Sequence, residues 1–105
     1  LGAAAMDIHI GRLLTIQAAW KLDQGDFARK EVSMAKVQVA DTLHKAADTA
    51  IQLLGAQGYS KDTLVEWVYR YARQARLVDG ASAIHKMVLS RSYLAEGQNF
   101  FRWGV

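Results

Sequence analysis

Apolar residues recur along most of this chain at intervals of three and four, and glycines divide the pattern into four stretches. In the first, residues 6–24, Ile10, Leu13, Leu14, Ala18 and Leu22 fall on one side of a helix of 3.6 residues per turn. Gln24-Gly25-Asp26 closes it as a turn. Gly11 lies inside this stretch, where glycine costs about 1 kcal/mol against alanine, so a second helix is expected to approach closely there. The second stretch, residues 27–54, carries Val32, Ala35, Val39, Leu43, Ala46, Ala50, Leu53 and Leu54 as a broad apolar stripe. Its alanines, with Ala40 and Ala47 among them, favour helix and permit tight packing. Gly55 and Gly58 follow as stop signals, one of them expected as a left-handed cap. The third stretch opens at Ser60 as an N-cap, with Asp62 in the first turn where the helix dipole favours an anion. It runs through Leu64, Val65, Val68, Tyr69 and Ala72 and frays over residues 74–77. Val78-Asp79-Gly80 reads as a linker, and the last helix starts near residues 80–82, uses Ile84, Met87, Val88, Arg91 and Leu94, and ends by Gly97. No stretch alternates with period two over strand length. The pattern predicts a single all-α domain over residues 1–105, an antiparallel up-and-down four-helix bundle with short loops.

Composition sharpens this in three ways. The chain has no proline, where average usage would supply about 5%, which agrees with long unbroken helices. It has no cysteine, which excludes a disulfide framework, a thiolate metal site and a thiol nucleophile. A net charge of +3 is too mild to argue for nucleic acid or an anionic membrane. The longest uncharged stretch, residues 49–60, falls well short of the roughly 20 apolar residues that span a bilayer, so neither a membrane span nor a nucleic-acid partner is expected. Residues 1–6 are apolar but lack the basic start and long apolar run of a secretory signal. The expected setting is intracellular: cytoplasmic, or mitochondrial or peroxisomal in a eukaryote. The chain opens on Leu1 rather than Met, and a fragment of something longer is the expectation.

Candidate chemistry is sparse. His9, His44 and His85 are widely separated, and Asp41 and Asp48 flank His44 on one helix face without the repeated carboxylate–histidine pattern of a di-metal bundle; no metal site is expected. Arg70, Arg73 and Arg76, with Lys61, Trp67, Tyr69 and Tyr71 nearby, could line a nucleic-acid reader. The alternative is an amphipathic helix that packs through Trp67 and Tyr71 with its arginines outward or paired. Gly55-Ala56-Gln57-Gly58 follows a helix, not a strand, and reads as a turn between helices rather than a phosphate cradle. Asp79, a lone carboxylate followed by glycine and a helix start, is either a cap or a general base placed where backbone can approach a ligand. The aromatic tail, Phe100, Phe101 and Trp103, is expected to dock on another subunit or domain, with packing under the last helix as the alternative.

Three segments taken together carry more. Ser33-Met34-Ala35-Lys36, Gln52-Leu53-Leu54-Gly55-Ala56-Gln57-Gly58-Tyr59 and Asp79-Gly80-Ala81-Ser82-Ala83-Ile84-His85 resemble the "SMAK", "QxxGGxGY" and "YEGTSxIQ" segments of the acyl-CoA dehydrogenase family, in order and at fitting intervals. Arg12-Leu13-Leu14 and Ala18-Ala19-Trp20 are similar to its first bundle helix. The likeness covers essentially the whole chain but only the family's C-terminal helical domain. It implies a homo-oligomer (dimer or tetramer) holding FAD, an acyl-CoA substrate oxidised between Cα and Cβ, and a separate electron-transfer acceptor. Residue by residue it implies Asp79 as the catalytic base and Gly80 lining the thioester site. It places Ala81, Ser82 and Ala83 against the flavin, and Gln52, Leu53, Leu54, Gly55 and Ala56 toward the FAD of a neighbouring subunit. Aspartate stands where the family usually has glutamate, Ala81 where it has threonine, Ala56 where it has a second glycine, and Val78 where it has tyrosine. The branch resembling "ADGPDEVH", which shares the aspartate and His85, is the nearer match. The 105-residue chain alone is expected to be inactive. A helical scaffold that has lost dehydrogenation is the alternative.

Overall fold

The computed structural model describes residues 1–102; Trp103 lies outside them. The chain is all-α as expected, with no strand among the described residues. Helix α1 spans Gly2–Asp23, α2 Arg29–Leu54, α3 Ala56–Tyr59, α4 Val65–Ala75 and α5 Ser82–Glu96, followed by a 3₁₀ turn over Gly97–Phe101. Helix α1 begins four residues before its apolar pattern because Ala3, Ala4 and Ala5 are strong helix formers.

Helix α2, about 39 Å long at 1.5 Å per residue, is shared by all the others. Among the described residues α1, α4 and α5 each pack on α2 and not on one another. Helix α1 runs antiparallel to it: Lys21 meets Glu31 at the loop end, and further along a Cβ on buried Gly11 would stand 3.1 Å from Val39 Cγ2. That is the close approach expected at this glycine. Helix α4 is antiparallel along the middle of α2, with the His44 and Tyr69 rings 5.2 Å apart and Lys36 reaching Ala75. Helix α5 meets the opening turns of α2 through Ser33–His85 and Lys30–Glu96.

Small residues make these contacts. Among the described residues Ala18, Ala28, Ala40, Ala47 and Ala72 are the buried apolar ones, and no large side chain is fully buried. Much of the apolar stripe read from the sequence is therefore only half covered: Leu13, Leu22, Val39, Leu53, Leu54 and Ile84 are all exposed. Periodicity identifies an apolar face but not what covers it. The accessible surface is 7559 Å², against about 5,900 Å² for a compact monomer of this mass. The radius of gyration is 16.2 Å, against about 13 Å for a compact chain of this length.

Local departures from the sequence pattern have identifiable causes. Asp26 Oδ1 accepts from the Ala28 N–H at 2.8 Å, and Ala28 adopts φ 51, so α2 starts at Arg29 and leaves Phe27 in solvent. Gly55 is the positive-φ cap of α2, with φ 66 and ψ −141, a region that only glycine enters freely. The short α3 was not foreseen, and Ser60 ends it instead of opening α4. Ser60 Oγ donates to Gln57 O at 2.7 Å and accepts from Asp62 N–H at 3.2 Å, so the hydroxyl is committed to a local turn. Helix α4 then starts five residues later with Glu66, not Asp62, in its first turn. At the other end the aromatic tail packs partly on its own chain. Tyr93, Phe100 and Phe101 form edge-on ring contacts of 5.3–5.8 Å. Lys30 joins them by donating to Glu96 at 2.7 Å and Phe100 O at 3.0 Å, with its ammonium 4.7 Å from the Phe100 ring centre. Phe101 stays mostly exposed. No helix among the described residues is long and apolar enough to cross a membrane.

Two predictions follow from the packing. A Cβ at Gly58 would lie 2.8 Å from Leu54 Cβ and 3.1 Å from Ile51 O, neither of which is the free end of a side chain. Gly58→Ala should destabilise by about 1–3 kcal/mol through overpacking, whereas Gly2→Ala, with nothing within 4 Å, should not; thermal unfolding separates the two. Lys21 and Glu31 form a buried 2.9 Å ion pair. The hydrogen bond to Glu31 holds the Lys21 ammonium above its ordinary value of 10.5, burial acting the other way. The folded state thus favours the charged lysine, and this stabilisation is complete below the ordinary value and lost as pH rises through the folded one. Glu31→Gln should cost about 1.5–3 kcal/mol near neutrality, with the gap from the parent narrowing above pH 10.5 in denaturant titrations.

Candidate functional site

The loop between α4 and α5 is short, and backbone bonds close it tightly. Leu77 and Val78 N–H groups both donate to Gln74 O, at 2.8 and 3.2 Å, and Ser82 N–H donates back to Arg76 O at 3.1 Å. At its tip Asp79 and Gly80 take φ 54 and 90 in succession. Aspartate tolerates the left-handed region better than most residues, and glycine enters it freely.

Helix α2 braces this loop with three side chains, Ser33, Lys36 and Asp41. Lys36 Nζ donates to Ala75 O at 2.6 Å, placing a cation on the carbonyl end of α4. Asp41 lies 3.6 Å from Arg76 Nε, an ion pair beyond hydrogen-bond length. Ser33, 3% exposed, places Oγ 3.0 Å from His85 Nδ1, and His85 Nε2 sits 3.2 Å from Asp79 O. The signal in the sequence is the occurrence of Ser33 and Lys36 three residues apart, hence on one face of the helix.

The Asp79 carboxylate, by contrast, is exposed and has no hydrogen-bond or ion-pair partner among the described residues. It does not cap the next helix. The N-cap of α5 is Ala81, no side chain bonds to the helix start, and no acidic residue stands in the first turn. Among the described residues no side chain thus compensates the positive end of α5 by capping it or by a charge in its first turn. Beside it Ser82 is buried with its Oγ unpartnered, while Ala83 and Ile84 are exposed. The glycine at 80 has a local reason of its own: besides its positive φ, a Cβ there would stand 2.7 Å from His85 Nε2.

Gln52, Leu53, Leu54, Gly55 and Ala56 are all exposed at the opposite end of α2. Gln52 is 19 residues beyond Ser33 on the same helix, about 28 Å at 1.5 Å per residue. One copy of the chain therefore does not bring these five residues and the Asp79 loop onto a common ligand.

The other candidates are committed elsewhere. Arg70 pairs with Glu66 at 2.8 Å and Arg76 with Asp41. Trp67 and Tyr71 do not pack inward as expected. They stack on each other at 5.5 Å with both rings half exposed, while Ala72 is the buried residue of α4 and Tyr69 meets His44 of α2. Asp41 turns to Arg76 and His44 to Tyr69, and no group of three His, Cys, Asp or Glu residues among the described residues could hold a metal.

Comparison with known proteins places this arrangement. The family model "Acyl-CoA dehydrogenase, C-terminal domain" matches residues 1–94. The chain is 39% identical to the (R)-benzylsuccinyl-CoA dehydrogenase of Thauera aromatica over 92% of its length and 24% of that protein's. With the 3-(aryl)acrylate reductase of Clostridium sporogenes the identity is 36%, over 83% of this chain and 23% of the relative. A solved structure from Mycobacterium abscessus, assigned to the acyl-CoA dehydrogenases, superposes with a TM-score of 0.86 at 35% identity, covering 90% of this chain and 24% of that one. The chain thus spans about a quarter of the length of these proteins. With a family model matching nearly its whole length and relatives well above 30% identity, this chain belongs to the acyl-CoA dehydrogenase family and corresponds to its C-terminal domain.

Proposed function

We propose that this chain is the C-terminal domain of an FAD-dependent acyl-CoA dehydrogenase, and that Asp79 is the base that removes the α-proton of an acyl-CoA thioester. The observation that carries the reading is a carboxylate on a residue whose backbone carbonyl is held by His85, yet with no side-chain partner among the described residues and no capping duty. A base needs that combination, since it must be aimed and must also be free to take a proton.

The residues around it fit a flavin. The uncapped start of α5 offers its positive end to an anionic or electron-rich group. Ala81 and Ala83 leave room for a ring to approach the backbone, and the unpartnered Ser82 hydroxyl is a donor beside them. Bound there, the flavin would accept the β-hydrogen with its electron pair. Asp79 takes the α-proton, and the α C–H electrons become the second bond between Cα and Cβ. Gly80 presents only backbone at the position next to the base, leaving space for the thioester. A reductive direction, the one named for the clostridial relative, would need the same carboxyl to return the proton.

Gln52 through Ala56 lie too far along α2 to serve this copy's flavin, which supports the reading that they meet the cofactor of a neighbouring copy in a dimer or tetramer. The half-covered apolar faces support assembly as well. Asp79 is exposed on this chain, so the dry surroundings that proton abstraction requires must come from other parts of the enzyme. The 105 residues alone should therefore be inactive. Reoxidation would fall to a separate electron acceptor.

The test uses the full-length enzyme that carries this domain. Its visible flavin absorption should bleach on addition of one class of acyl-CoA and not others. Asp79→Asn keeps a residue that accepts the left-handed backbone but removes the base. It should cut turnover by about 10²- to 10⁴-fold while flavin content and acyl-CoA binding hold. A protein that takes up no FAD, or an Asp79→Asn variant with full turnover, would leave the chain as a scaffold.

A further inference from the structure

We infer that His85 is a positioning residue for Asp79, held in a single tautomer by Ser33; the inference rests on the proposed role of Asp79 as base. The hydrogen-bond chemistry fixes the direction of the chain. Asp79 O is a carbonyl and can only accept, so His85 Nε2, 3.2 Å away, carries the proton. In the neutral ring Nδ1 is then an acceptor, and the group 3.0 Å from it is the Ser33 hydroxyl, which donates. Ser33 is 3% exposed, so water is not a ready substitute for it.

The bond matters because of where it falls. Asp79 O belongs to the peptide joining Asp79 to Gly80, the two residues with φ 54 and 90. Holding that carbonyl fixes the peptide plane, and with it the direction in which Asp79 Cα projects its side chain. The ring also fills the place that a Cβ on Gly80 would take, 2.7 Å from Nε2. Any side chain at 80 would therefore displace the imidazole that holds residue 79. Ser33 stands on α2, the helix that carries the rest of the domain, so the base is referenced to the scaffold through Ser33 Oγ–H, His85 and the Asp79 carbonyl. The carboxylate itself is left unbound. A misplacement of about 1 Å can cost about 100-fold in rate, so a loop tip with two successive left-handed residues gains from such a tie.

The experiment compares His85→Phe, His85→Gln, Ser33→Ala and Asp79→Asn in the full-length flavoenzyme, with flavin content and thermal unfolding as controls for folding. His85→Phe keeps a ring and removes both hydrogen bonds. It should lower kcat by about 10- to 100-fold with KM for the acyl-CoA changed less than about threefold. His85→Gln offers an amide donor to Asp79 O and an acceptor to Ser33, and should recover turnover to within a few-fold of the parent. Ser33→Ala, the mildest change, should lower kcat in the same direction by less, and it carries the test if His85→Phe does not fold. Independently of activity, the ¹⁵N shifts of the His85 ring should report protonation at Nε2. Full turnover in folded His85→Phe or Ser33→Ala, beside an impaired Asp79→Asn, would overturn the positioning role alone; so would a ring protonated only at Nδ1. Full turnover in Asp79→Asn would instead overturn the base assignment and the positioning role with it.

Discussion

The geometry of the candidate site depends on one polar edge of α2. Ser33, Lys36 and Asp41 occur within nine residues of α2, and each reaches the turn between α4 and α5 or the residues next to it. Without that edge the turn would be held by its own backbone bonds and by the packing of α4 and α5 on α2, since α4 and α5 do not pack on each other. Two helices that share no interface can keep a fixed relation only through a third element. Here that element is α2, and two of the contacts that set the relation, from Ser33 and Lys36, are hydrogen bonds, which are directional in a way that apolar packing is not.

The same division of labour explains why the core is built from alanine. Ala18, Ala40, Ala47 and Ala72 let helices approach α2 closely, and Gly11 does the same against Val39. Close approach brings short polar side chains such as Ser33 within reach of the partner helix, which bulky leucines at the contact would prevent. The cost is that little apolar area is buried within this chain, and leucines and isoleucines remain half covered on the outer faces. Stability of the domain and its covering by other protein are then parts of one design, as the proposed assembly requires.

The helices were largely legible from the sequence, because their periodicity and the glycines at 25, 55, 80 and 97, all at positive φ, are local signals. What was not legible was decided by competition or by distance. Ser60 has the chemistry of an N-cap, but its hydroxyl is bonded at both ends into a turn, and residue type does not say which use wins. Trp67 and Tyr71 lie at helical spacing with core residues, yet they stack on each other half exposed, while Ala72 is the buried residue of α4. Within the candidate site, Asp79 and Gly80 stood out as a carboxylate beside a glycine. The link from Ser33 to His85 joins residues 52 positions apart. It is invisible to any pattern along the chain, although both lay inside segments that the family resemblance had already marked.

The choice of aspartate at position 79 has a physical account in this frame. A shorter acid draws its carboxylate toward the backbone by about one bond length, which should penalise a base that needs an extended reach. Yet φ at this residue is 54, and aspartate enters that region far more readily than glutamate, whose longer side chain offers no comparable local hydrogen bonding. A shorter side chain also has one fewer torsion to freeze, so more of its aim is inherited from the backbone. That makes the precision of the backbone more consequential, and here the backbone carbonyl of the same residue is the atom the imidazole holds. Aspartate at 79, glycine at 80 and histidine at 85 thus form one solution: the acid that tolerates the turn, the residue that leaves room for the ring, and the ring that fixes the turn. Changing any one of the three alters what the other two must satisfy, so with Asp79 as the proposed base their effects on turnover should be strongly non-additive.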